Sequence, residues 1–343
     1  MTSPMNQQVV MAIRPDGDLR PGDLRLEQVA TPVPQDGEVL LETIYLSIDP
    51  YMRWWMRDEK SYHTPIEVGQ VMIGATVSRV RQSRNRAWTE GDWVLSYSGW
   101  RRFAVSDGQD LRRIDPDSAP PSTALGVLGM TGFTAYAGLR NIGQPKQGET
   151  VVVAGASGAV GSVVGQIARI RGARAVGIST GAQKLAYLKD ELQFDAVVDY
   201  KASDFAEQLA RACPDGIDVY FENVGGPIWD AILPLLNTYA RIPVCGMITQ
   251  YETRAGAEGG TDRLPNTMAQ IMGKSLTLRG FIQTEYADEQ MSDFLGEAAS
   301  WLASGSLRHR EHIVQGLEHA PQALMDMLKG QNFGKTIVQV GEP

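Results

Sequence analysis

The sequence is short of several things. Of 343 residues only Cys213 and Cys245 are cysteines, too few for a disulfide framework or a Cys₄ zinc site. Histidine is equally scarce: His63, His309, His312 and His319 are the whole set. His309 and His312 could share a helix face, but Arg308 and Arg310 flank them, and cations beside a metal site are unfavourable. No catalytic metal is expected. There is no excess of basic charge either, since 32 Lys and Arg against 40 Asp and Glu leave a net charge of -8. That balance argues against nucleic acid or an anionic membrane surface as the main partner. No run approaches the roughly 18 apolar residues of a membrane helix. The opening MTSPMNQQ lacks the basic-then-apolar pattern of a targeting segment, so a cytoplasmic protein is expected. Internal repeats and low-complexity tracts are missing too.

What is present is an ordinary globular composition, 43% hydrophobic and 21% charged, in a chain long enough for two domains. Its most informative stretch is VVVAGASGAVGSVVGQIARIRGARAVGISTGAQK at 151–184. A short β-branched run, 151–154, leads into glycines, and Val160, Val163, Val164 and Ile167 then recur at the spacing of one helix face. Gly155, Ala156, Gly158, Ala159, Val160 and Gly161 form an A-x-G-x-x-G variant of the dinucleotide fingerprint. Gly158 lets backbone approach a pyrophosphate, Gly161 lets helix pack on strand, and the helix N-terminus offers free N–H groups to phosphate. An NAD site usually places an acid about 20 residues past the glycines. Here Ile178, Ser179 and Thr180 stand there and Lys184 follows. Hydroxyls and an ammonium suit a 2′-phosphate, so NADPH is the expected cofactor.

From Val9 to about residue 125 the chain reads as short strands, VVMAI, LRLEQV, EVLLETIYLSI, MIGATVSRV and DWVLSYS, broken by PDGD, RPGD, PQDGE and TEGD turns. This predicts an antiparallel, partly closed β domain. Within it, Asp49 and Arg53 of SIDPYMR read as a structural ion pair and Tyr51 as a pocket residue. Tyr62, His63 and Trp100 are further aromatic candidates. Near Gly126 the character changes, and a helix is predicted from about Thr131. Past Lys184, helices at 183–192 and 205–213 alternate with strands at 196–198 and 217–221, the pattern of right-handed crossovers and a parallel sheet. Asn223, in ENVGG, either reads the cofactor or caps a turn. A strand is expected at 240–246, although Pro243 fits a central strand poorly. The glycine-rich stretch 252–266 reads as a long loop, in function a mobile lid. A strand at 276–282, a helix at 287–302, a strand at 312–315, a helix at 320–328 and a strand at 335–340 complete the chain. The tail is expected to rejoin the first domain.

With these residues in hand, the chain resembles the zinc-free medium-chain dehydrogenases/reductases, nearest the leukotriene B4 12-hydroxydehydrogenase/prostaglandin reductase group and its bacterial curcumin-reductase-like relatives. SIDPYMR (47–53), GMTGFTAY (129–136), GASGAVGSVVGQIA (155–168), ENVGG (222–226), CGMITQY (245–251) and MLKGQNFGKTIV (327–338) carry the resemblance. It implies an α/β protein with a GroES-like β-rich catalytic domain, 1–125 and 304–343, and a Rossmann doubly wound parallel-sheet NADPH-binding domain, 126–303. It also implies a homodimer and reduction of the carbon–carbon double bond of α,β-unsaturated ketones and aldehydes. Hydride would reach the β-carbon, and the enolate oxygen would take a proton donor from Tyr251, a phenol being protonated at neutral pH. Tyr51, Tyr62 and Tyr251 would line the substrate pocket. By the same resemblance Lys184 and Tyr200 hold the 2′-phosphate side, with Ser179 and Thr180. Met130, Thr131 and Thr134 lie near the nicotinamide, Cys245, Gly246, Ile248 and Thr249 behind it, and Asn223, Phe281 and Asn332 complete the cofactor set. A quinone reductase of the same fold and a non-catalytic NADPH-binding structural or sensor protein are the alternatives.

Overall fold

The structure is a computed structural model and describes residues 5–253 and 262–343. It divides into two compact units, one of residues 1–126, 251–254 and 311–343, the other of 127–250 and 255–310.

The first unit opens with β1 (Met5–Met11), β2 (Leu24–Ala30), β3 (Val39–Ser47), the short helix α1 (Tyr51–Trp55), β4 (Thr76–Ser83), β5 (Trp93–Ser96), β6 (Phe103–Ser106) and β7 (Arg112–Ile114). The second runs through α2 (Met130–Gly138), β8 (Thr150–Ala154), α3 (Gly161–Ile170), β9 (Arg174–Ser179), α4 (Ala182–Ala186), β10 (Ala196–Asp199), α5 (Phe205–Ala212), β11 (Ile217–Phe221), α6 (Pro227–Ile232), β12 (Leu236–Val244), α7 (Leu264–Lys274), β13 (Thr277–Gly280) and α8 (Ala287–Ala303). The chain then returns to the first unit with β14 (Glu311–Gln315), α9 (Ala320–Leu328) and β15 (Lys335–Gln339).

In the first unit β1 and β2 form an antiparallel pair, and a seven-stranded sheet runs β14-β15-β3-β4-β5-β7 with β6 on β3. The tail strand β15 pairs antiparallel with β3, Val338 opposite Leu46. Under it lies a core of Val9, Met11, Leu46, Met52, Trp100, Leu324 and Val338. Trp100 belongs to that core and is fully buried, which removes it as a pocket aromatic. The expected Asp49–Arg53 pair does not form. Asp49 accepts from Lys335 Nζ at 3.0 Å and from the Ser47 hydroxyl, all three residues being buried. Arg53, equally buried, donates to the Gly17 carbonyl, and its Nε and Nη1 have no hydrogen-bond partner among the described residues. A partner 286 residues away took the place of the one four residues away.

In the second unit the strand order is β10-β9-β8-β11-β12-β13, every pair parallel. This is the doubly wound order whose switch point lies between the first strand of the motif and the fourth, here β8 and β11. The β-branched run of β8 is buried on both faces, with Val152, Ala154, Val176 and Tyr220 in one cluster. Pro243 sits one residue from the end of β12, next to a ladder whose register to β11 shifts, and its carbonyl accepts the Glu222 N–H at 3.0 Å. Pro243 stands opposite Arg279 of β13, and the ladder continues past it to Val244. The helix predicted at 183–192 is α4 continued by a π-helical turn, Tyr187–Glu191. Of the supposed lid at 252–266, residues 254–261 lie outside the described residues. Its far end is not loop but the start of α7, with Pro265 in the first turn, where a proline's missing N–H costs no helix bond. Among the described residues no helix is long and apolar enough to cross a membrane.

Candidate active site

The second unit builds a cradle from backbone. Gly155 has φ +65°, and a Cβ on Gly161 would stand 2.4 Å from the Gly155 carbonyl oxygen and 2.9 Å from Ala156 Cα. Only glycine allows α3 to start this close to the end of β8. The N–H groups of Ser162, Val163 and Val164 at the start of α3 donate to the Gly158 and Val160 carbonyls, so what the helix itself offers a pyrophosphate is the positive end of a ten-residue dipole. Ala156 is buried beneath the turn, while Gly158, Ala159 and Val160 remain half-buried. Ser157 fastens the turn from below through a 2.8 Å bond between its hydroxyl and that of Ser179, at the end of β9.

Beyond Ser179, Thr180 and Gly181 lead into α4, which carries Lys184. Burial lowers the Lys184 pKa, and the ammonium of Lys201 lowers it further. Two cations brought near one another at this strand end favour an anion. The sequence shows no acid at this strand end, yet the structure brings one in from the next strand. Asp199, last residue of β10, accepts the N–H of Gly181 at 3.2 Å and that of Lys201 at 2.9 Å, and also binds the Thr180 side chain. Burial pushes its pKa up, but these donors and the Lys201 charge outweigh it and hold the carboxyl below its usual range. Tyr200, 39% exposed, follows with Lys201 5.9 Å from its ring centre. The alternation of β9 and β10 in a parallel sheet is the signal that could have placed Asp199 there.

At the switch point Asn223 donates from its amide to the Ala154 carbonyl at 2.9 Å, tying the end of β11 to that of β8. Beneath it, Glu222 is buried and its Oε1 accepts from the Tyr220 hydroxyl and the N–H groups of Val224 and Gly225. The segment after β12 folds back on this loop: Cys245 and Gly246 donate to the Glu222 carbonyl, Ile248 to that of Asn223 and Thr249 to that of Val224. Burial, helped by Glu222, pushes the Cys245 thiol up to about 12, and burial does the same to Cys213. Neither is a thiolate nucleophile at neutral pH. At the start of α2, Met130 is half-buried, Thr131 is buried, and the Thr134 hydroxyl donates to the Met130 carbonyl at 2.7 Å. Phe281 meets Phe221 edge-on at 6.2 Å.

The first unit contributes aromatic side chains. Trp55 of α1 has Tyr51 at 4.3 Å, Tyr62 at 5.7 Å and His63 stacked at 3.9 Å between ring centres. Trp54, one residue earlier, faces Tyr251 at 5.7 Å. The tyrosines at 51, 62 and 251 are thus gathered around two adjacent tryptophans that the sequence reading passed over, although the Trp54-Trp55 doublet directly follows SIDPYMR. Burial raises the Tyr51 pKa well above the usual phenol value, with Asp49 and then Tyr97 and Tyr62 adding to it. Its hydroxyl is a donor at any physiological pH. Asn332, in the same unit, donates to the Gly334 carbonyl at 3.0 Å.

Comparison with known proteins agrees with this architecture. Residues 7–114 match a family described as the N-terminal domain of oxidoreductase, and residues 159–300 one described as zinc-binding dehydrogenase. Among the described residues no group of three or more His, Cys, Asp or Glu is placed to hold a metal ion. The chain is 50% identical to the NADPH-dependent curcumin reductase of Escherichia coli, over 98% of this chain and 97% of that one. It is 42% identical to rat (Rattus norvegicus) prostaglandin reductase 1, over 93% and 95%. The crystal structure of CurA from Vibrio vulnificus in complex with NADPH superposes with a TM-score of 0.94 at 49% identity, covering 98% of this chain and all of that one. The chain belongs to the medium-chain dehydrogenase/reductase superfamily and, within it, to the zinc-free group that holds the curcumin and prostaglandin reductases.

Proposed function

We propose that this protein is an NADPH-dependent reductase of the carbon–carbon double bond of α,β-unsaturated ketones and aldehydes. The observation that carries the cofactor choice is the end of β9, where Ser179, Thr180 and Lys184 replace the acid of an NAD site and Asp199, delivered by the next strand, already has its oxygens engaged. Likeness over nearly the whole chain to a curcumin reductase described as NADPH-dependent supports it. Bound NADPH would supply the hydride and a ribose hydroxyl. We assign its binding to 126–303, through the residues of the glycine turn, Lys184, Tyr200 and the loops around Asn223 and Cys245, and substrate binding to 1–125 and 304–343. Tyr51 and Tyr62 bound the substrate, and the Tyr251 phenol donates to the oxygen on which enolate charge develops. Loss of one such donor typically costs about 10² to 10³ in rate. The same reading makes the protein a cytoplasmic homodimer, and a sedimentation mass of one chain would contradict the latter.

The test is oxidation of NADPH and of NADH with a linear enone, its saturated ketone and a naphthoquinone, each product identified by mass spectrometry. Saturated ketone formed from enone, with NADPH preferred, is the expected result. Lys184→Ala should raise the KM for NADPH roughly tenfold, the worth of one charge-assisted bond, and leave that for NADH unchanged. An allylic alcohol, or turnover of the quinone alone, would sink the proposal.

A further inference from the structure

Residues 251–253 are fastened one by one. The guanidinium of Arg57, two residues beyond α1, donates from Nη2 to the Tyr251 carbonyl at 3.2 Å and to the Thr253 carbonyl at 2.5 Å. Between them Glu252 accepts the Leu19 N–H at 2.9 Å. The Arg57 guanidinium also lies over the Trp54 ring, 4.5 Å from its centre, and Trp54 is the ring that meets Tyr251. One cation therefore holds Tyr251 by its backbone and, through Trp54, by its ring. Among the described residues, Glu59 stands 3.8 Å from Nη1 and the buried Arg53 also bears on its charge. Its side chain is only 13% exposed, so water competes weakly for these bonds.

We infer that Arg57 is a positioning residue for Tyr251, fixing where the phenol stands when it meets substrate. The inference rests on the reductase reading of Tyr251 and deepens it. Three features select arginine here. Its flat face rests on an indole while its edge reaches two carbonyls, which a lysine ammonium cannot do at once. It follows directly on the helix that bears Tyr51, Trp54 and Trp55, so a single short element sets Tyr51 and Tyr251 together. Finally, it acts on the first residues after the chain leaves the second unit at Gln250.

The experiment is a double-mutant cycle of Arg57→Met with Tyr251→Phe, read as kcat on a linear enone and as KM for NADPH. Misplacing a donor by about an ångström costs up to 10²-fold, so Arg57→Met should lower kcat roughly tenfold or more while the KM for NADPH stays unchanged. In the Tyr251→Phe background the same substitution should do nothing further, because no phenol remains to be placed. Arg57→Lys, which keeps the charge without the fork, should recover only part of the rate. Trp54→Leu, which removes the ring but keeps the cation, should give a smaller fall that also vanishes beside Tyr251→Phe. It serves as the test if Arg57→Met does not fold. Equal falls in both backgrounds, or a full rate for Arg57→Met beside an impaired Tyr251→Phe, would overturn the inference alone. A full rate for Tyr251→Phe would overturn the catalytic reading of Tyr251 and the inference with it.

Discussion

In the second unit the turn offered to a cofactor is seven consecutive residues, 155–161, shaped by backbone and, at Gly155 and Gly161, by the absence of a side chain. In the first unit the aromatic cluster is shaped by side chains whose supports come from far along the chain: Lys335 to Asp49 across 286 positions, Arg57 to Tyr251 across 194. A site made of backbone is written locally, and at its closest approach, Gly161, only glycine fits. A site made of side chains is distributed and tolerates changes until one of its distant supports is lost. The two units should therefore fail differently when mutated.

The largest effect should come from the first unit. Lys335→Met leaves the Asp49 carboxylate buried without its cation, and breaking a buried pair typically costs about 3–5 kcal/mol. Chemical unfolding should show that loss, and Asp49→Asn added to it should recover part. A cost no greater than that of a surface substitution would mean that the first unit does not depend on its distant supports.

Gly161→Ala should be next. Its Cβ would overlap the Gly155 carbonyl oxygen and the Ala156 Cα, both backbone atoms that cannot rotate away. Overpacking of this kind costs about 1–3 kcal/mol, and NADPH titrated by fluorescence should no longer saturate. Gly273, inside α7, has nothing within 4 Å of its Cβ position, so Gly273→Ala should instead stabilise by up to about 1 kcal/mol. If both alanines behaved alike, the turn would not be defined by close approach.

The smallest effect concerns pH. Burial raises the Glu222 pKa above 4.5, against the pull of the Val224 and Gly225 N–H groups and the Tyr220 hydroxyl. An acid raised on folding contributes stability that is complete below its unfolded pKa and is lost as pH climbs through the raised value. Glu222→Gln keeps an acceptor oxygen but cannot ionise. Melting curves from acid to neutral pH should show wild type losing ground to the variant as pH rises. Parallel curves would mean that folding leaves the Glu222 pKa where it is in the unfolded chain.

The contrast also explains what could be read beforehand. The glycine turn, the alternating strands and helices of 151–221, and α9 at 320–328 follow local rules of periodicity and close approach, and they stand where the residues indicate. Asp49 was given the wrong partner because Arg53 stands only four residues along the chain, whereas Lys335 reaches it only once β15 lies beside β3. Asp199 escaped notice because a parallel neighbour strand, not the motif's own strand, delivers it. The start of α7 was hidden by the glycines before it, and Leu264, Met268 and Met272, at the right spacing, point outward instead of into a core.

The pairing of β15 with β3 has a consequence for the order of synthesis. As the chain leaves the ribosome, residues 127–310 are complete and able to close their parallel sheet while β3 still lacks β15 and Asp49 its cation. The first-made domain is thus the last to be finished: one edge of β3 is covered early by β4 and the other by β6 at 39–42, but residues 45–47 stay an exposed edge through most of translation. Contacts between such distant partners form slowly and leave unpaired strands open to aggregation. A cell making this protein quickly would lose it first through β3, before any substrate is met.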